Sequence, residues 1–201
     1  AVQALETEYA LDDRPVLLFV GQINWKKNLL RVLEACALLK KEGQPFYLIL
    51  AGQGPDEKAV RQKAEDLDLS DVLIMTGHVS KASKLDALYR RADLFVFPSL
   101  YDNAPMVVRE ASVMGTPSVL VRGSDAAEVI RDGQNGLLCQ DDAADLAHVI
   151  GEALKDREAL RLLGDAARSS IPVPWTDIGQ SIVDAYQEVL QNHSPTPANH
   201  V

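Results

Sequence analysis

The strongest constraint in this sequence is a series of short apolar runs that each stop at glycine or proline. Residues 16–21 read Val-Leu-Leu-Phe-Val-Gly, and similar runs occupy 46–51, 72–76, 93–97 and 117–121, closing at Gly52, Gly77, Pro98 and just before Gly123. A continuous apolar run of that length has the form of a strand buried on both faces, as in parallel sheets covered by helices. Between the runs, apolar residues recur at helical spacing. Leu29, Leu30, Leu33, Ala37 and Leu38 fill one interval, and Leu85, Leu88 and Tyr89 fill another bracketed by Ser83 and Ala92. Pro55 is expected to open a further helix, with Ala59, Val60, Lys63 and Ala64 following it. Strand and helix alternating in this way predict an α/β fold, a doubly wound parallel sheet with helices on both faces.

The second half adds helices and one short strand, over 136–139. Residues 142–155 and 156–169 both carry helical periodicity, with Asp156-Arg157 at the turn between them. Pro172 and Pro174 break the chain. A final amphipathic helix is predicted from Trp175 to Leu190, with Ile178, Ile182, Ala185, Tyr186 and Val189 on one stripe. The organisation expected is a connection or short helix over 1–15, one domain over 16–170, a terminal helix over 171–191 and a disordered tail over 192–201. A length of 201 residues suits one such domain.

Composition narrows the partners. Hydrophobic residues make up 47% and charged residues 24%, the balance of a soluble globular chain. A net charge of -9 repels polyanions, so nucleic acid is not an expected partner. A small phosphorylated ligand remains compatible, because lysines and a helix N-terminus act locally within a Debye length of ~8 Å. The two cysteines, Cys36 and Cys139, fall in a helical and a strand pattern and read as reduced core thiols. No apolar run approaches the ~20 residues that span a bilayer, and no charged-then-apolar signal opens the chain. A cytoplasmic location is therefore expected, and the absence of an initial Met suggests an excised piece of a longer protein.

In open parallel sheets, ligands bind beyond the carboxyl ends of the strands, where helix N-termini present free N–H groups. The strand ends here begin at Gly21, Gly52, Gly77, Pro98 and Arg122. The most informative is Pro98-Ser-Leu-Tyr-Asp-Asn-Ala-Pro105. Asn103 suits a cap and Pro105 a first helical position, so a helix is expected to offer the N–H groups of Met106 and Val107 to an anion. Glu110 then has Met106, Val107, Val113 and Met114 three and four residues away, which puts its carboxylate beside core packing. Such a carboxylate needs donors, either from within the fold or from ligand hydroxyls. Asp102, alone, is more often a simple capping or turn residue.

Taken together, these residues resemble family 4 retaining glycosyltransferases of the GT-B fold, whose two facing domains are Rossmann-like. That family carries two glutamates separated by seven residues after a Pro-Ser strand end, then Gly-Thr-Pro. This chain has Pro98-Ser99, then Asp102, seven residues, Glu110, and Gly115-Thr116-Pro117. Val20-Gly21 with Lys27, the stretch Ala51-Gly-Gln-Gly-Pro55, the turn Thr76-Gly-His-Val79 and the segment from Glu128 to Leu138 are similar to family segments in the same order.

The resemblance implies a nucleoside diphosphate sugar as donor substrate, UDP foremost, with no metal and no other cofactor required. Catalytic roles would fall to Lys27 on the diphosphate, Asp102 on the donor sugar and Glu110 on the ribose hydroxyls. Gly21, Gln22, Lys26, Gly52, Gly77, His78, Val79, Asn103, Ala104, Pro105, Met106 and Val107 would line the donor. The leaving diphosphate would assist same-face attack, with no covalent role for Asp102. The acceptor, a glycan, lipid or cell-envelope precursor, would bind an N-terminal domain outside this chain, so the chain alone would bind donor without transferring it. The full protein could sit at the inner face of the membrane.

Two departures stand out. Gln22 occupies a place where the family commonly has arginine, and Asp102 is one methylene shorter than glutamate. Trp25 and Tyr101 have no firm role: each reads as a packing residue or as a residue at the ligand mouth. The alternatives are a nucleotide-sugar 2-epimerase on the same architecture and a non-enzymatic receiver-like domain. A receiver would need clustered acids at the first strand end, where this chain has Gln22 and Asn24.

Overall fold

The computed structural model describes residues 1–192. The elements in order are α1 (Val2–Tyr9), β1 (Val16–Val20), α2 (Leu29–Lys41), β2 (Tyr47–Ala51), α3 (Glu57–Asp66), β3 (Leu73–Gly77) and α4 (Ala82–Arg91). They continue with β4 (Leu94–Val96), α5 (Met106–Met114), β5 (Ser118–Val121), β6 (Leu137–Cys139), α6 (Ala143–Leu154), α7 (Arg157–Ser170) and α8 (Trp175–Asn192). All neighbouring strands are parallel, in the order β3-β2-β1-β4-β5-β6. The expected doubly wound α/β sheet is what forms, and the short strand at its end is β6.

The reason lies in the apolar runs. Every residue of β1, β2, β4 and β5 is buried, so each central strand needs cover on both faces. Helices supply it: α2 packs on α3 and α6, while α4 packs on α1 and α5, with α7 on α5. β3, at the sheet edge, is only partly buried along its length. At ~1.5–3 kcal/mol per fully buried large apolar side chain, this core outweighs surface ion pairs worth ~0–1 kcal/mol each. Phe19, Phe95 and Phe97 stack in series through β1 and the end of β4, with centroids 5.7 and 5.8 Å apart.

Two helix starts differ from expectation. α3 begins at Glu57, with Asp56 at its N-cap, because residues 51–56 form a loop that hydrogen-bonds to the loop after β1. Pro55 therefore lies in that loop. α5 begins at Met106 with Pro105 at the N-cap in extended geometry (ψ 130°), and Asn103 makes no cap hydrogen bond. By contrast, Asp142 and Asp156 cap α6 and α7 through their side chains, each accepting from backbone N–H in the first turn.

The chain divides after Ile171, and α8 is a separate unit. Ile182, Val183 and Tyr186 on it are about half or more exposed, at 51, 47 and 69%. The predicted tail lies outside the described residues, apart from Asn192, which ends α8.

Cys36 and Cys139 are buried, and that burial pushes each thiol up to about 12, with the Asp145 charge a lesser cause at Cys139. The reference thiol value is 9.0, so both are neutral in the native state wherever the unfolded chain begins to ionise. Their contribution to stability is fully present below about pH 9 and is lost as pH rises towards 12. We expect neither thiol to react with a chromogenic disulfide reagent at pH 8 until guanidinium is added. Rapid native-state labelling of either one would contradict this placement.

Candidate active site

The strand order reverses between β1 and β4: the chain runs outward through β2 and β3, then returns to the other side of β1. At such a switch point the loops leaving neighbouring strands diverge, and a crevice opens beyond the carboxyl ends.

The loop after β1 is built by close backbone contact with the loop after β2. Gly21 N–H donates to Ala51 O at 3.0 Å, Ile23 N–H to Gln53 O at 3.1 Å, and Asp56 N–H back to Ile23 O at 3.2 Å. Asp56 Oδ2 also accepts from Trp25 N–H at 2.9 Å. A short 3₁₀ turn, Trp25–Lys27, follows, with the Asn24 side chain accepting from Lys27 N–H. Asn28 then adopts φ 60°, and its amide nitrogen donates to Pro98 O at 3.1 Å and Asp141 Oδ1 at 2.8 Å. One asparagine thus ties the carboxyl-end loops of β1, β4 and β6 together.

Across the switch point, the Lys27 ammonium pairs directly with Asp102, whose other oxygen accepts from the Ser99 hydroxyl. Ser99 is fully buried, while the Lys27 and Asp102 side chains are 24 and 21% exposed. Partial burial strengthens the attraction relative to bulk water while leaving both groups reachable.

A cavity of about 300 Å³ opens at the carboxyl ends of the same sheet. Gly21 and Gln22 line it from the end of β1, Gly52 and Gln53 from β2, and His78 and Val79 from β3. Val107 and Glu110 of α5 and Leu85 of α4 close it. Glu110 is only half-buried, and one donor comes from inside the fold: Tyr89 Oη gives a hydrogen bond to Oε2 at 3.0 Å.

The structure therefore divides the expected trio of charges. Lys27 and Asp102 meet each other, and Glu110 lines the cavity to which neither of them contributes. The reason is charge and reach: the two loops spring from adjacent strands, and opposite charges within contact distance pair. Of the residues expected to line a donor, Gly21, Gln22, Gly52, His78, Val79 and Val107 line this cavity, while Gly77 stands next to His78 without lining it. Gln22 is exposed, and its side-chain oxygen accepts from Asn24 at 2.6 Å.

Lys26, Asn103, Ala104 and Met106 are exposed and do not line the cavity. Ala104 and Pro105 instead border a smaller recess with Asp125 and Glu128. The first N–H groups of α5, at Met106 and Val107, have no acceptor within the helix. Trp25 faces a different groove, shared with Leu30 and the α3 residues Ala59 and Lys63, and Tyr101 is 80% exposed. Neither reads as a residue of this cavity. Among the described residues, no three His, Cys, Asp or Glu side chains converge as a metal site.

The sequence assigned no site role to Asn28, Gln53, Ser99 or Tyr89. Asn28 stands where a cap is common, which was a usable signal. Tyr89 looked like one more residue on an apolar helical stripe.

Beyond this geometry, the family model for "Glycosyl transferases group 1" matches residues 4–170, which take in the whole sheet and helices α2 to α7. The chain belongs to the glycosyl transferases group 1 family. It is 26% identical over 191 residues to the alpha-D-kanosaminyltransferase of Streptomyces kanamyceticus, covering 92% of this chain and 48% of that protein. The fold is similar to Anabaena HepE solved in complex with UDP, with a TM-score of 0.81, 19% identity, and coverage of 93% of this chain and 52% of that one. It is also similar to the C-terminal domain of a group 1 glycosyl transferase, LpcC, of Francisella tularensis. There the TM-score is 0.74 at 18% identity, covering 85% of this chain and 91% of the other. The chain spans about half the length of the curated relatives it matches. No helix among the described residues is long and apolar enough to cross a membrane.

Proposed function

We propose that this chain is the donor-binding, C-terminal half of a retaining family 4 glycosyltransferase, which takes a nucleoside diphosphate sugar and works with a second domain that holds the acceptor. The observation that carries the reading is the strand-end crevice itself, with a carboxylate in its cavity wall and an ammonium–carboxylate pair joining the loops after β1 and β4 at the switch point. UDP is the favoured nucleotide, in keeping with the UDP complex of HepE. Group 1 membership favours transfer over a receiver-like role. The coverage of about half of each relative, and the likeness to a domain described as C-terminal, support the half-enzyme reading.

In this reading, the Glu110 carboxylate accepts the ribose hydroxyls, since a carboxylate offers several lone pairs to hydroxyl donors. The diphosphate lies between the N–H groups of Met106 and Val107 and the Lys27 ammonium, and Asp102 meets the hydroxyls of the sugar. As the bond between the sugar anomeric carbon and the phosphate oxygen breaks, negative charge grows on the departing diphosphate. Lys27 and the helix N-terminus then bind it more strongly than in the ground state, which is the condition for catalysis. The acceptor oxygen attacks from the same face, and its proton passes to the departing phosphate oxygen. Configuration is retained without a covalent intermediate on Asp102.

Titration calorimetry with UDP, GDP and ADP tests the donor claim. One nucleotide should be preferred, and Glu110→Ala should weaken it ~100-fold or more, from two hydrogen bonds to a charged group at ~1.5 kcal/mol or more each. Equal binding by the variant would remove the ribose role. Sugar transfer by this chain alone would overturn the half-enzyme reading. Epimerised donor formed without acceptor would favour an epimerase.

A further inference from the structure

Tyr89, in the last turn of α4, is 1% exposed, yet its hydroxyl reaches the one carboxylate in the cavity wall. Three contacts hold it. Its ring stands edge-on to Phe95 at 5.6 Å between centroids, and its backbone carbonyl accepts from Thr116 Oγ1 at 2.6 Å. Its Oη donates to Glu110 Oε2 at 3.0 Å. Thr116, the centre of the Gly-Thr-Pro turn, is itself 2% exposed, so the anchor of the tyrosine is part of the core.

The chemistry of this contact is one-directional. Burial, and then the neighbouring Glu110 charge, push the Tyr89 hydroxyl well above its ordinary pKa, so it keeps its proton and donates. A buried hydroxyl without a partner is costly, which makes the bond to Glu110 the resting arrangement. Glu110 Oε1 has no partner among the described residues, and Oε2 can still accept once more. A carboxylate held at one oxygen loses less freedom when a ligand arrives.

We infer that Tyr89 is a positioning residue whose hydroxyl fixes one oxygen of Glu110 so that the carboxylate is presented to a ribose diol, making the cavity selective for ribonucleoside over deoxyribonucleoside diphosphates. The inference rests on the ribose role proposed for Glu110. Tyr89→Phe removes one oxygen and keeps the ring against Phe95.

Calorimetry with UDP and 2′,3′-dideoxy-UDP, on the wild type, Tyr89→Phe, Glu110→Gln and the double variant, decides the matter. The wild type should prefer UDP. Tyr89→Phe should lose about fivefold in UDP affinity, the cost of ordering a freed carboxylate when the diol binds, with dideoxy-UDP binding unchanged. The double variant should match Glu110→Gln alone, since the hydroxyl acts through that carboxylate. If the wild type binds both ligands equally, the ribose reading of Glu110 fails and this inference falls with it. If the wild type discriminates and Tyr89→Phe does so undiminished, only the tyrosine role fails. Equal weakening towards both ligands would mean that Tyr89 merely packs, and would also overturn the role. Should Tyr89→Phe not fold, Thr116→Val replaces it: loosening the anchor should cost about threefold in UDP affinity and nothing in dideoxy-UDP affinity. No selective loss there would be equally decisive against the inference.

Discussion

Gly52→Ala is expected to destabilise the protein by about 4 kcal/mol and to remove nucleotide binding with it. A Cβ at Gly52 would lie 1.8 Å from Gly21 O, a backbone atom that cannot rotate away, and the residue holds φ +147°, where side chains are rarely found. Overpacking of this kind costs ~1–3 kcal/mol, and an unfavourable backbone region adds ~1–3 kcal/mol. Gly21 and Gly52 are both cavity walls, so relief by loop movement deforms the site. The urea midpoint should fall by about 2 M, and no UDP binding should remain in the folded fraction. Gly43→Ala is the control. Its φ is +77° but nothing lies within 4 Å of the added methyl, so only backbone strain of ~1 kcal/mol is expected, with binding intact. Similar losses at the two glycines would show that the clash is not what matters.

Gly164→Ala should cost about 2 kcal/mol while leaving binding by the folded protein unchanged. Glycine inside a helix is ordinarily worse than alanine by ~1 kcal/mol, so propensity alone predicts stabilisation. Packing reverses the sign: the added Cβ would lie 2.0 Å from Gly115 O and 3.2 Å from Pro117, where α7 rests on the turn after α5. Gly151 in α6 provides the comparison, since its nearest neighbour is the tip of the Leu39 side chain at 3.3 Å, which can shift. Gly151→Ala should therefore fall within ~1 kcal/mol of the wild type. Thermal or urea unfolding of the pair checks the order, and a stabilised Gly164→Ala would refute the contact. Because neither glycine lines the cavity, UDP affinity separates this effect from the one at Gly52.

Gly21 and Gly52 show how much of the candidate active site is backbone. The loops after β1 and β2 are joined by main-chain hydrogen bonds, and the side chains that project from this frame are few. Asn28 extends the same frame to β4 and β6, so the Lys27–Asp102 pair is held from both sides of the switch point.

Much of the fold was legible in the residues. Apolar runs of fixed length specify buried strands, helical periodicity specifies the faces that cover them, and Asp142 and Asp156 mark helix starts by their own side chains. These signals are local: each is a property of neighbours within a turn or a strand, so a linear reading captures them. The start of α3 is set by distant partners, through loop-to-loop hydrogen bonds with residues 23–25.

What the linear order could not carry is which side chains meet. Lys27 and Asp102 are 75 positions apart, Asn28 and Asp141 are 113 apart, and Tyr89 and Glu110 are 21 apart on different helices. The strand order brings the first two pairs together, and the packing of α4 on α5 brings the third. The amino-acid sequence by itself determined the layers, the strand ends and the residue types gathered there. Only the tertiary structure decided that lysine pairs with aspartate while the glutamate turns to a tyrosine, because pairing energies depend on distances that chain separation does not encode.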